Sequence, residues 1–200
     1  MRVTIREIAE YLADFALFWP GVAISIAISL TLAGRVARRI GAARPTGALL
    51  VFSIGLIASA TLTPSREALR FGLVGSGMCD LSRMGFAQIH DLLELDDPGF
   101  NVLLFIPLGM AIGLIPRSAI RLGLAVSALL LSPAIELVQL VVTPLDRACQ
   151  SSDVFDNVTG LVVGLVLGLL IGLVARIVGV GPRRKARPGT GTGGGPGREP

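Results

Sequence analysis

Five apolar runs, each near the length a helix needs to cross a bilayer, constrain this chain more than anything else in it. They occupy 15–34, 47–63, 99–115, 119–142 and 157–180. About 20 apolar residues in helical form match a hydrocarbon core roughly 30 Å thick, where only helices and closed barrels keep every backbone group paired. Only 16% of the 200 residues are charged, against about 25% in a soluble domain. Hydrophobic residues make up 52%, and the mean hydropathy is +0.73. The expected class is an all-α membrane protein, a bundle of about five transmembrane helices forming one domain over 1–181. Residues 182–200 should be a disordered, basic, Gly/Pro-rich tail.

The links between the runs alternate in charge. Residues 35–45 hold Arg35, Arg38, Arg39 and Arg44 without an acid, and 116–121 and 182–200 are basic too. Residues 1–14, 64–100 and 143–156 are acidic or near neutral. Five spans put the two sets on opposite sides, so the positive-inside rule predicts the N-terminus outside and the tail inside. A pI near 10.0 then reflects cationic membrane loops rather than nucleic acid, for which no aromatic-interleaved basic groove exists. The positive charge follows the first run instead of preceding it, so this run is expected to be a retained helix and not a signal peptide. Ile5, Ile8, Leu12 and Phe15 form an amphipathic lead-in. Phe86, Ile89, Leu92 and Leu93 predict a short interfacial helix in the long outer connection.

Polar residues gather around 132–164. Glu136 and Gln139 share one face near the end of the fourth run, with Ser132 a turn below. Arg147 lies in the following link, Asp153 and Asn157 open the fifth run, and Asn101 begins the third. A carboxylate in an apolar run is costly, so Glu136 pairs with Arg147, holds a proton or meets a ligand. Asp153 can equally cap the fifth run, and Asp156 can answer its dipole. Pro107 bends the third run. Gly160, Gly164, Gly168 and Gly172 make a four-residue ridge that admits a second helix, of this chain or of another copy in an oligomer.

The ordered set Asn101, Phe105, Pro107, Gly109, Glu136, Gln139, Arg147, Asp153, Asn157 and Gly160 resembles the VanZ-like membrane proteins, over about 48–178. This chain departs from the pattern with Ala-Cys-Gln-Ser-Ser between Arg147 and Asp153. The resemblance implies a multi-pass protein of the bacterial plasma membrane, in a family whose founding member is associated with low-level resistance to the glycopeptide teicoplanin.

Cys79 and Cys149 both fall on the predicted outer side, where a disulfide can form; otherwise they are two unpaired small residues. His90 and Glu94 lie one turn apart, but with no second histidine neither a metal nor another cofactor is expected. Two functions compete. One is an outward pocket of Asn101, Glu136, Gln139, Arg147, Asp153 and Asn157 binding a lipid or lipid-linked cell-wall precursor headgroup. The other is a membrane enzyme on such a substrate, with Glu136 as general acid or base. Transport ranks lower, because the first three runs carry no internal charge.

Overall fold

The computed structural model describes residues 17–85 and 97–179. The N-terminal lead-in, the interfacial helix expected at Phe86–Leu93, His90 and the C-terminal tail lie outside them.

The first run becomes α1, Phe18–Ile40, which continues six residues beyond the expected 15–34. Arg38 and Arg39 belong to its last turn rather than to a link, where positive charge suits the helix C-terminus. Gly41 ends it at φ 70°, a conformation that glycine adopts without strain, and its N–H returns to the Ala37 carbonyl. Helix α2, Arg44–Thr61, begins with Pro45 in its first turn, where no donor is missed. The two form a hairpin lined with small residues: Gly21 faces Ser59, Ser25 faces Gly55, and Gly47 sits on the Ala33 carbonyl. The Ser29 hydroxyl crosses to the Ala48 carbonyl at 2.8 Å. Ser25, Ser53 and Ser59 donate to carbonyls one turn back in their own helices, at 2.7 Å each, so these hydroxyls are paired in an apolar setting.

After α2 the chain makes a short helix, α3, Arg66–Phe71, capped by Ser65, whose Oγ accepts from the Ala68 N–H at 2.9 Å. A two-residue strand β1, Cys79–Asp80, follows. The third run is α4, Asp97–Gly113; the fourth is α5, Ser118–Val141. A 3-10 turn, Thr143–Leu145, leads to strand β2, Cys149–Gln150, parallel to β1 with Cys79 opposite Cys149. Those two cysteines are joined as a disulfide. Helix α6, Ser151–Ile177, therefore starts six residues before the expected 157. Asp153 and Asp156, expected in the link ahead of it, thus lie with Asn157 inside its first two turns.

Four of these helices, α1, α2, α5 and α6, are long and apolar enough to cross a membrane. The remaining run, the third, is the shorter helix α4, at 17 residues or roughly 25 Å. It lies at the centre, with Phe105, Ala111 and Ile112 buried almost completely. Its closest neighbour is α6, which runs parallel to it. A Cβ at Gly160, Gly164 or Gly168 would collide with the backbone of Val102, Ile106 or Met110, and one at Gly109 would strike the Leu161 carbonyl. Three of the four ridge glycines are thus engaged within the chain; Gly172 has nothing within 4 Å. Around this centre the outward faces carry exposed Ile28, Leu30, Leu122, Leu130, Leu170 and Leu173. In water this much contiguous apolar surface would drive aggregation; against acyl chains it costs nothing. The chain is an all-α membrane bundle.

Candidate functional site

One end of the bundle collects the start of α4 and α6, the close of α2 and α5, and the β1–β2 pair. A cavity of about 160 Å³ opens among them, lined by Ala60, Thr61, Phe100, Asn101, Glu136, Gln139, Arg147, Ala148, Gln150, Asp153 and Asn157. Asn101, Glu136, Gln139, Arg147, Asp153 and Asn157, the six polar residues singled out in the sequence, all lie on its wall.

Each is positioned by a local cause. On α5, Ser132, Glu136 and Gln139 stand at helical spacing on the buried face. Ser132 accepts a hydrogen bond from Asn157 Nδ2 at 3.1 Å, fastening α5 to α6. Glu136 Oε2 accepts the Gln150 backbone N–H at 2.8 Å. Of the three roles open to Glu136, pairing with Arg147 is therefore not the hydrogen bond that holds it: a main-chain donor does. Gln139 Nε2 donates to the Thr61 carbonyl at 3.0 Å. Arg147 donates from Nε to Thr63 O and from Nη2 to Ala60 O, both at 3.1 Å. Its guanidinium thus closes the C-terminus of α2, where the last carbonyls lack helical partners and the dipole is negative. Inserting Ala148–Ser152 before Asp153 does not remove Arg147 from the cavity.

Asp153 is not the helix cap. Gln150 holds that position, and Asp153 sits in the first turn, where the dipole favours a carboxylate. Asp156, expected only to answer that dipole, is fully buried and ion-paired with Arg83. Arg83 escaped the sequence reading. It is one of three arginines in the net-acidic long connection, and nothing local pointed it at α6. Ser151 Oγ donates to the Arg83 carbonyl at 2.8 Å. Disulfide, strand pair and ion pair together pin residues 79–83 to the start of α6, beside the cavity. Gln150, whose N–H orients Glu136, gave no signal because its contribution is main-chain.

Phe105 packs in the core, Pro107 lies within α4, and Gly109, Gly160, Gly164 and Gly168 set the α4–α6 distance. Among the described residues no group of three His, Cys, Asp or Glu could hold a metal ion.

On the cavity wall two acceptors, Gln139 Oε1 and Asn157 Oδ1, have no hydrogen-bond partner, although both residues are buried. A buried amide oxygen without a donor costs on the order of 1–3 kcal/mol. With the carboxylates of Glu136 and Asp153 they make the wall rich in acceptors, while Arg147 and Asn101 bring donors. The arrangement suits a small polar group that donates several hydrogen bonds and carries an oxygen for the guanidinium.

The model of the VanZ/LLP1 family matches residues 48–172, more than half of the chain and all of the cavity wall. No curated protein and no solved structure matches the chain.

Proposed function

The chain belongs to the VanZ/LLP1 family, and from that premise we propose that the polar cavity faces the outside of the bacterial plasma membrane and binds the headgroup of a cell-envelope lipid or lipid-linked precursor. The observation that carries this reading is the convergence of six polar side chains on one cavity in which two buried amide oxygens lack donors. Hydroxyl or amide hydrogens of a sugar or peptide headgroup would satisfy them, and Arg147 would meet a phosphate or carboxylate oxygen. At about 160 Å³ the cavity is below the roughly 300–1,000 Å³ of sites that engulf a drug-sized ligand, so it takes part of a headgroup while the rest stays in water or lipid. The charge distribution supports the outward direction. Arg35, Arg38, Arg39, Arg44, Arg117, Arg121 and Arg176 lie toward the end away from the cavity, and positive charge is retained inside. An effect on glycopeptide susceptibility would follow if the bound headgroup were withheld from the drug.

Two carboxylates in one cavity, Glu136 and Asp153, favour a second reading: a membrane enzyme acting on such a substrate with Glu136 as general acid or base. Purified protein, wild type and Glu136→Gln, separates the two when co-purified lipids are identified by mass spectrometry. Binding predicts one envelope lipid in the wild type, depleted in the variant, with no product in either. Catalysis predicts substrate accumulating in the variant alone. An identical lipid complement in both sinks the cavity reading.

A further inference from the structure

At the opposite end of the bundle the parallel helices α4 and α6 end out of step. Their contact runs from Val102 against Gly160 to Met110 and Gly113 against Gly168. There α4 stops at Gly113, while α6 continues to Ile177, nine residues or roughly 13 Å further. Gly172, the last glycine of the ridge, consequently has nothing within 4 Å. A groove of about 940 Å³ opens along this overhang. Its lining comes from the link between α1 and α2, from Leu169, Gly172 and Leu173 of α6, and from the arginines Arg121 and Arg176. Arg121 is held in place by donating from Nη1 to the Ile115 carbonyl at 3.1 Å.

The geometry points to a binding site for an anionic phospholipid, with an acyl chain along the Gly172 shelf and the phosphate between Arg121 and Arg176. Charge selects this occupant. Seven arginines surround this end, and residues 31–47, 112–124 and 168–179 contain no carboxylate. A second copy docked by a two-fold axis would bring the same arginines against themselves. The chain beyond Ile177 adds Arg183, Arg184, Lys185 and Arg187, the same sign again. An anionic headgroup neutralises Arg121 and Arg176 while its tail covers the leucines; a zwitterionic headgroup supplies no net counter-charge. Basic clefts between membrane helices bind anionic lipid headgroups for this reason. The site is separate from the polar cavity and does not depend on its ligand.

Native mass spectrometry of the full chain in neutral detergent, titrated with phosphatidylglycerol or phosphatidylcholine of the same acyl chains, tests it. The wild type should retain phosphatidylglycerol preferentially, by on the order of fivefold per arginine. Arg176→Gln should reduce that preference about fivefold, and Arg176→Lys should restore most of it. Gly172→Leu, whose side chain enters open space, should lower retention of both lipids while thermal stability stays at the wild-type value. Equal retention of the two lipids by the wild type overturns the proposal. So does a Gly172→Leu protein that retains phosphatidylglycerol like the wild type, or a dimer that Gly172→Leu dissolves.

Discussion

Removing Arg83 should cost far more than removing its partner's charge. The two ends of this ion pair sit in different surroundings: the Asp156 side chain is 0% exposed, the Arg83 side chain 39%. Arg83→Ala leaves a buried carboxylate without its guanidinium, and breaking a buried pair in this way costs about 3–5 kcal/mol. Water reaching the vacated position brings the figure to about 3 kcal/mol, near the bottom of that range. Asp156→Asn instead leaves the charge on the partly exposed partner, a loss of about 1 kcal/mol or less, as for an exposed pair. For a chain of this size each kcal/mol moves the melting temperature by roughly 2–4 °C. Arg83→Ala should therefore melt roughly 6–12 °C lower in detergent under non-reducing conditions, and Asp156→Asn no more than about 4 °C lower. The double variant should melt close to Asp156→Asn, since no buried charge is left behind. Circular dichroism at a helical wavelength follows all three. Equal losses in the single variants, or a double variant less stable than Arg83→Ala, would refute the burial argument.

A side chain at Gly164 must push α4 away from α6. Its Cβ would approach Ile106 C and Met110 N at 2.9 Å, both main-chain atoms that cannot rotate aside. Gly164→Leu should lose about 1–3 kcal/mol by overpacking; Gly123→Ala, on an open face of α5, should lose nothing in the same thermal melt. The disulfide closes a loop across a sequence separation of 70, which in the chain-entropy account is worth on the order of 4 kcal/mol. Cys79→Ser should thus destabilise the protein clearly and also loosen Gln150 from Glu136. Free thiols found by non-reducing mass spectrometry of the wild type would remove the basis for this expectation.

Much of this molecule was readable in one dimension because a bilayer penalises exposed polarity so heavily. Uninterrupted apolar runs can only be helices there, and the few polar residues inside them must face one another, which is why Asn101, Glu136, Gln139, Arg147, Asp153 and Asn157 line one cavity. Helix ends were less legible. Arg35, Arg38 and Arg39 read as a link, yet a helix continues through charge once it leaves the apolar layer, up to Gly41. The early start of α6 at Ser151 was hidden in the same way, by polar residues that are helical.

What the sequence by itself determined was class and convergence: a helical membrane bundle with a polar cluster at one end. Only the tertiary structure decided the partners. The glycine ridge would pack against any helix, and it packs on α4 because that helix runs parallel and close. Small residues at four-residue spacing from Gly21 to Ala37 carried the α1–α2 hairpin without announcing it. Arg147 binds main-chain carbonyls, Gln150 offers a main-chain N–H, and Arg83 reaches Asp156 from a distant loop. Backbone groups are the same in every residue, and long-range pairs depend on chain path. Neither leaves a mark in composition or periodicity.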